Sequence, residues 1–303
     1  MNSHAVSPQG TTPDHTPLDC WYLTGPTASG KTSVGVELAL LLQAEIISLD
    51  SMALYREMDI GTAKPTSEER ARVPHHLLDL LPPTEDFSVS NYFQAAQTKI
   101  AEIRQRGREV LFVGGTSLYL KVLLRGIFSG PPADWEFRRQ IAEELKTVGL
   151  EALHERLNLV DPLSAARLHP HDQRRIIRAL EVHRQTGQPI SHLQTQFEEG
   201  SPAEACRVFA LDWPRAELHR RINARVDGMF AAGLVAEVRG ILARHGALSR
   251  TASQALGYRE VIEHLQGVRD LAATIDAVQA RTRQFARRQL TWFRSLTECR
   301  SLL

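Results

Sequence analysis

The segment from Gly25 to Thr32 reads GPTASGKT and has the spacing of a loop that binds phosphate groups. It follows a short apolar run and precedes a helical pattern. Glycines at both ends allow a tight turn whose N–H groups point inward, while Lys31 supplies a mobile cation and the Thr32 hydroxyl suits Mg²⁺. The predicted phosphate-binding residues are Gly25, Pro26, Thr27, Ala28, Ser29, Gly30, Lys31 and Thr32.

Two further polar positions follow apolar runs that are typical of buried strands. Asp50 follows EIISL, and the triplet Gly114-Gly115-Thr116 follows VLFV. Because the carboxyl ends of parallel strands share one edge of a sheet, we expect both beside the phosphate loop. Asp50 could be a general base, a carboxylate that positions the substrate, or the cap of a following helix. Thr116 could bind a ligand, orient Asp50, or simply belong to a strand-to-helix turn.

Basic residues cluster in several helical patterns. Arg221 and Arg225 lie four residues apart, so they share a helical face and could neutralise a polyphosphate. Lys64, in GTAKP, is expected either near the phosphates or in a solvated loop. Two other segments are rich in arginine and suggest a surface for an RNA backbone. Their arginines are Arg174, Arg175, Arg178 and Arg184 in the first segment, and Arg281, Arg283, Arg287, Arg288 and Arg294 in the second.

The second basic segment has two helical faces. Arg283, Arg287 and Arg294 share one face, which is either solvated or binds phosphates. Phe285 and Trp292 fall on the opposite face and are expected in the core.

Short apolar runs alternate with helical patterns over much of the chain, which predicts an α/β fold with a P-loop NTPase-like parallel sheet and helices on both faces. The candidate strands are Trp21–Thr24, Glu45–Leu49, Leu77–Leu80, Val110–Val113 and Arg207–Leu211. Everything after Pro214 is expected to be helical.

The alternation stops between the fourth and fifth candidate strands. Residues 131–199 read as helices only, with Asp134, Asp161 and Asp172 at the helix starts and Gly187 at a helix end. We therefore predict an all-helical inserted subdomain within a catalytic core of residues 20–130 and 200–303. Residues 1–19 are polar and rich in proline, and are expected to be a disordered tail rather than a signal peptide.

Composition is that of an ordinary globular protein. The net charge is +1, from 36 basic and 35 acidic residues, so any basic surface must be local. Cys20, Cys206 and Cys299 are far apart and lack metal-binding spacing, which favours reduced thiols in a cytoplasmic protein. No apolar run has membrane-spanning length, so no membrane association is expected.

Several longer stretches resemble the tRNA dimethylallyltransferases, also called tRNA isopentenyltransferases, in their bacterial form. The matching stretches occur in family order over most of the chain, and their combination is highly specific. They are GPTASGKT, ISLDSMALYREMDIGTAKP, HHLLDLLPP, FVGGTSLYLKVLLRG, DQRRIIRALEVHRQTG, LHRRINARVDGMFAAGLVAEV, ALGYRE and RRQLTWFR.

The resemblance implies a Mg²⁺-dependent transfer of a prenyl group from dimethylallyl diphosphate to tRNA. The acceptor would be the exocyclic amine of the adenosine just 3′ of the anticodon, held and deprotonated by Asp50. The residues implied to be catalytic are Lys31, Thr32, Asp50, Thr116 and Arg225, of which Arg225 also binds the diphosphate and Thr32 the metal. The residues implied to bind tRNA are Asp50, Ser51, Met52, Ala53, Thr116, Arg138, Gln173, Arg174, Arg175, Ile176, Ile177, Gln254, Ala255, Leu256, Gly257, Tyr258 and Arg259. A monomer is expected.

Three other functions stay open at this point. A sister enzyme prenylates free adenine nucleotides and would not need the basic helices or the insertion. A small-molecule kinase would use the same loop to bind ATP and would transfer a phosphoryl group. A non-catalytic RNA-binding module would need neither Lys31 nor Asp50.

Overall fold

The structure is a computed structural model that describes residues 17–128, 130–194 and 205–302. The chain divides into two compact units, a core unit of residues 1–124 and 200–303 and an inserted unit of residues 125–199. Most of the predicted disordered tail lies outside the described residues, while Pro17–Asp19 form a short 3₁₀ helix.

A parallel sheet forms the centre of the core unit, as the alternating sequence pattern predicted. The six strands found in the described residues lie in the order β3-β2-β4-β1-β5-β6. Their bounds are β1 Trp21–Thr24, β2 Ala44–Ser48, β3 His75–His76, β4 Glu109–Val113, β5 Val208–Leu211 and β6 Cys299–Leu302. Every residue of β2 and the three middle residues of β4 are buried, as expected for a parallel sheet that is covered on both faces.

Two predictions about strands were wrong. The third strand is not Leu77–Leu80 but the two preceding residues, because Leu77 and Asp79 have positive φ values of 57° and 56° that no extended strand can accommodate. The chain after Pro214 is not wholly helical, since β6 pairs with β5 at the edge of the sheet.

Helices of the core unit pack on both faces of the sheet. Alternate strand residues face opposite sides: Tyr22 and Phe112 join the larger hydrophobic cluster, whereas Leu23 and Leu111 join a smaller one. The helices are α1 Lys31–Leu42, α2 Ser67–Arg72, α3 Val89–Gln105, α4 Ser117–Arg125, α9 Arg215–Ala231, α10 Leu234–His245, α11 Tyr258–Leu265 and α12 Leu271–Ser295.

The inserted unit consists of helices and their connections over its described residues, with no strand among them. Its helices are α5 Trp135–Val160, α6 Pro162–Arg167, α7 Gln173–Thr186 and α8 Ile190–Leu193. As predicted, Asp134, Asp161 and Asp172 cap helix starts with their side chains, and Gly187 ends α7 in the left-handed conformation. The unit has a hydrophobic core of its own.

A buried ion cluster ties two helices of the inserted unit together. The Glu181 side chain is fully buried on α7 and accepts two hydrogen bonds from Arg138 of α5, both of 2.8 Å. Arg178 donates a third, of 2.6 Å, and the N–H of Asp134 a fourth, of 2.8 Å. Because both arginines bind this one carboxylate, part of the basic character predicted for this unit is neutralised internally.

Candidate active site

A cavity of about 530 Å³ opens at the carboxyl edge of the sheet in the core unit. The predicted phosphate loop, the turn after β2 and the turn after β4 line it, together with parts of α9 and α12 and residues 254–256. The sheet topology places these turns side by side, because β1, β4 and β2 are neighbours and run parallel.

The phosphate loop lies between β1 and α1, where its backbone needs glycine. Gly25 and Gly30 have φ values of 143° and 89°, and a Cβ on Gly25 would lie 2.7 Å from the carbonyl oxygen of Leu211. Lys31 Nζ donates to the carbonyl oxygen of Pro26 at 2.6 Å, so the ammonium group lies against the loop itself. The loop therefore has the turn and the cation that phosphate binding requires.

The loop is held from outside by α9 and by Trp213, which lies two residues before this helix. Arg221 Nε donates to the carbonyl oxygen of Ala28 at 2.9 Å, and its guanidinium lies 4.4 Å from the ring centroid of Trp213. Trp213 Nε1 in turn donates to the carbonyl oxygen of Ser29 at 3.0 Å. The two arginines predicted to act as a pair thus differ: Arg221 supports the loop, and Arg225 lines the cavity.

Charges in the cavity are coupled to one another. Burial and, to a smaller extent, the neighbouring Arg225 lower the pKa of Lys31 to about 7, while Asp50 opposes both effects. Burial also lowers the pKa of Arg225, again opposed by Asp50. Two partly desolvated cations next to one carboxylate form a site that a polyanion would stabilise.

Asp50 uses one of its two carboxylate oxygens locally. Oδ1 accepts hydrogen bonds from the N–H groups of Met52 at 2.8 Å and Ala53 at 3.4 Å. The following residues form turns rather than the helix that would make Asp50 a helix cap. Oδ2 makes no hydrogen bond within the described part of the chain, and Asp50 lines the cavity, so this oxygen can accept a proton.

Thr116 fixes the backbone next to Asp50. Its Oγ1 accepts from the N–H of Ser51 at 3.0 Å, and its own N–H donates to the carbonyl oxygen of Leu49 at 3.0 Å. A Cβ on Gly114 would clash with the backbone of Leu49, which explains the glycine there. Of the alternatives for Thr116, the geometry supports orientation of the Asp50 segment.

Lys64 lines the cavity that contains the phosphate loop, as one of its two predictions had it, but its ammonium group is bound by the protein itself. Its side chain is only 2% exposed, and Nζ donates to Asp59 at 2.7 Å, Asp79 at 2.5 Å and the carbonyl oxygen of Tyr55 at 2.5 Å. The buried ammonium is therefore bound by two carboxylates, one exposed and one half-buried, and it is not solvated.

The residues implied to bind tRNA fall into three groups. Eight of those in the core unit line the cavity, namely Asp50, Ser51, Met52, Ala53, Thr116, Gln254, Ala255 and Leu256. Gly257 and Tyr258 are buried, and Tyr258 donates its hydroxyl to Glu237 at 2.6 Å, so its side chain does not face an RNA. Arg259 is exposed.

The third group lies in the inserted unit. Gln173, Arg174 and Arg175 are exposed and suited to an RNA contact, and Ile177 is half-buried. Ile176 is fully buried in the core of the unit, so its side chain does not face an RNA, and Arg138 is bound to Glu181.

The arginine-rich helix α12 differs in part from its prediction. Phe285 and Trp292 are half-buried rather than in the core, and Phe285 lines the cavity. Of the three arginines on the predicted basic face, Arg283 donates to Asn223 at 2.6 Å and Arg294 to Asp212 at 3.0 Å. Arg287 is exposed, and within the described residues its guanidinium has no hydrogen-bond partner.

Two polar residues near the cavity were missed by the sequence analysis. Gln289 is 5% exposed, lines the cavity and bonds to both the phosphate loop and the turn after β4. Glu237 accepts from the N–H groups of Asp59, Ile60 and Gly61, at 3.0, 2.7 and 3.3 Å, and so holds the start of the GTAKP segment. For Gln289 a signal was present, because it lies on the buried stripe of α12 between Ala286 and Phe293.

Within residues 17–128, 130–194 and 205–302, no group of three or more His, Cys, Asp or Glu side chains is placed to hold a metal ion. Among the same residues, no helix is both long enough and apolar enough to span a bilayer.

Comparisons with known proteins give concordant matches. The model of a family described as IPP transferase matches residues 53–296. A tRNA dimethylallyltransferase of Rhodopirellula baltica is 50% identical over 94% of this chain and 87% of its own length, and one of Syntrophobacter fumaroxidans is 48% identical over 92% and 81%.

Solved structures agree with these matches. The tRNA isopentenylpyrophosphate transferase of Bacillus halodurans superposes with a TM-score of 0.67 and 38% identity, covering 94% of this chain and 89% of that one. A eukaryotic dimethylallyltransferase acting on tRNA superposes with a TM-score of 0.73 and 26% identity, covering 90% and 69%. These matches confirm the resemblance that the sequence motifs suggested.

Proposed function

The chain belongs to the IPP transferase family, and from this premise we propose that it transfers a dimethylallyl group from dimethylallyl diphosphate to the N6 amine of the adenosine 3′-adjacent to the anticodon of tRNA. One observation carries the proposal: the phosphate loop, Arg225, Asp50 and Thr116 all line the same cavity. The site thus offers cations for a leaving diphosphate and a carboxylate for an attacking amine.

The chemistry follows from where charge develops. When the carbon–oxygen bond of the allylic ester breaks, negative charge grows on the departing pyrophosphate, and the N–H groups of the phosphate loop, Lys31 and Arg225 stabilise it. The adenine amine forms the new carbon–nitrogen bond and gives a proton to Asp50 Oδ2. The products are N6-dimethylallyladenosine, pyrophosphate and the proton taken up by Asp50.

Mg²⁺ fits this site as a cofactor shared with the substrate. A Mg²⁺ ion bound mainly by water and phosphate oxygens needs few protein ligands, which agrees with the described residues offering no dedicated cluster. Thr32 lines the cavity at the start of α1, and its hydroxyl is the side-chain ligand that we propose. When bound, the ion would neutralise charge on the diphosphate.

The RNA side of the proposal rests on two requirements. An amine inside a stacked loop is unreachable, so the adenosine must be extruded into the cavity, where Thr116 and residues 50–53 and 254–256 surround it. The exposed Arg287 and the exposed residues 173–175 of α7 would bind the RNA backbone. We expect the protein to act as a monomer in the cytoplasm, where tRNA is modified.

The decisive test is mass spectrometry of tRNA after incubation with the protein, Mg²⁺ and dimethylallyl diphosphate. The expected result is the mass of one dimethylallyl group on the anticodon-loop adenosine, formed much more slowly when Asp50→Asn replaces the wild type. Parallel reactions with free adenine nucleotides and with ATP distinguish the alternatives. Prenylation of the free nucleotide but not tRNA, or ATP consumption with unchanged RNA mass, would overturn the proposal.

A further inference from the structure

The Gln289 side chain bridges two walls of the cavity, the phosphate loop and the turn after β4. Its Oε1 accepts from the N–H of Thr27, in the phosphate loop, at 2.9 Å. Its Nε2 donates to the carbonyl oxygen of Gly115, in the turn after β4, at 2.8 Å. Both ends of one amide are therefore used, and each binds a different wall of the site.

The bridge is closely fitted. Gln289 is 5% exposed, so neither hydrogen bond competes with bulk water. A Cβ on Gly115 would lie 2.5 Å from Gln289 Nε2 and 3.2 Å from the carbonyl oxygen of Gly25. The second glycine of GGT is thus required by the approach of this amide, rather than by a positive φ.

The bridge continues to the proposed base. Gly115 is followed by Thr116, whose Oγ1 accepts from the N–H of Ser51, the residue after Asp50. A chain of hydrogen bonds and single peptide steps therefore leads from the phosphate loop, through Gln289, to Asp50. Because a buried network has discrete arrangements, a change at its centre moves one wall relative to the other.

We propose that Gln289 is a positioning residue that sets the distance between the leaving diphosphate and the attacking amine. The inference rests on the proposed prenyl transfer. Gln289 contacts the backbone of both walls, so its removal should spare the binding of either substrate while disturbing their mutual alignment. Misplacement by about 1 Å can reduce turnover by roughly 100-fold.

The test compares Gln289→Met with the matched control Gln284→Met, an exposed position on the same helix. Methionine keeps the length of the side chain but loses both hydrogen bonds. For Gln289→Met we expect kcat to fall about 10- to 100-fold, with the Kd of pyrophosphate and the Kd of tRNA each changed less than about threefold. The control should match the wild type in all three quantities.

Gln289→Glu adds a readout that general loss of structure would not produce. An ionised carboxylate still accepts from Thr27 but repels the carbonyl oxygen of Gly115, whereas the protonated acid donates to it. The kcat of this variant, divided by that of the wild type, should therefore rise as pH falls, and the same ratio for Gln289→Met should stay flat.

The possible results separate failure of the positioning role from failure of the proposed prenyl transfer. Wild-type kcat in Gln289→Met, or a loss confined to the Kd of pyrophosphate, would overturn the positioning role and leave the prenyl transfer intact. An equal pH response of the two variant ratios would also overturn it. Absence of transfer by the wild-type protein would overturn the proposed function, and this inference with it.

Discussion

Lys31 donates its hydrogen bond to the carbonyl oxygen of Pro26, at 2.6 Å, so the cation of the phosphate loop is folded onto the first turn of that same loop. A bound diphosphate would replace this carbonyl as the acceptor. After this change of acceptor, the partly desolvated amine of Lys31 would face a polyanion, which favours its protonated form.

Pyrophosphate binding should be accompanied by proton uptake at Lys31. Burial and the neighbouring Arg225 lower its pKa to about 7, so above that pH the amine is mainly neutral in the free protein. A polyanion favours the charged form and raises the pKa, so affinity should fall as pH rises above 7, by at most about tenfold per pH unit.

Calorimetry in buffers of different ionisation enthalpy, about one pH unit above that pKa, measures the uptake directly. Lys31→Arg is the control, because an arginine stays charged and the titration of the ligand itself is common to both proteins. We expect the wild type to take up nearly one proton more than the variant. Equal uptake would show that Lys31 is already charged before the ligand arrives.

Asp50→Asn separates the two uses of this side chain. The amide oxygen can still accept from Met52 and Ala53, but the base is lost. We expect kcat for prenyl transfer to fall about 10²- to 10⁴-fold, with the Kd of tRNA changed less than about threefold. Asp50→Ala should lose turnover similarly and also melt at a lower temperature, since each lost hydrogen bond costs about 0.5–1.5 kcal/mol. Near-normal turnover of the asparagine variant would reject the base assignment.

Arg287→Ala should weaken tRNA binding and flatten its salt dependence. The side chain is exposed and available to a phosphate, and one lost phosphate contact lowers the slope of log K against log salt by about 1. Arg294→Ala is the matched control on the same helical face, because Arg294 already pairs with Asp212. Filter binding over a range of salt concentrations measures both slopes. An unchanged slope for Arg287→Ala would assign it to the solvated surface.

Glu181→Gln should destabilise the inserted unit. It removes the fully buried carboxylate charge that pairs with Arg138 and Arg178, and breaking such a pair costs about 3–5 kcal/mol. Glu136→Gln, which disrupts an exposed ion pair on α5, should cost less than about 1 kcal/mol. Calorimetric unfolding of the full chain tests both variants. Equal melting temperatures would contradict the stabilising role of the cluster.

Short sequence patterns were sufficient to predict the strands that consist of one continuous apolar run. The strand that precedes the phosphate loop was predicted at its observed bounds, because four apolar or β-favouring residues run directly into Gly25. The edge strand β6 was missed because three of its four residues are exposed, so it lacks the apolar signature of a buried strand. The error at Leu77 arose from left-handed backbone conformations that a hydrophobic run does not reveal.

Some residues of the site could likewise be predicted from local sequence, whereas others could not. Lys31 and Asp50 could be assigned because each follows a strand at a fixed offset, and parallel strands end at one edge. Gln289 could not, because its partners Thr27 and Gly115 are distant in the sequence and are brought to it by the tertiary fold. A polar residue on a helix usually faces water, and only its place on a buried stripe distinguished this one.

The order of the strands has a consequence for synthesis on the ribosome. The strand β1 emerges early, and β4 can pair with one of its edges, but its other edge belongs to β5. Between those two partners the ribosome must make the whole inserted unit, which takes ~5–20 s at about 5–20 residues per second. During that interval, the side of β1 that later pairs with β5 is an exposed strand edge. Chaperone contact or aggregation at this edge would compete with completion of the sheet.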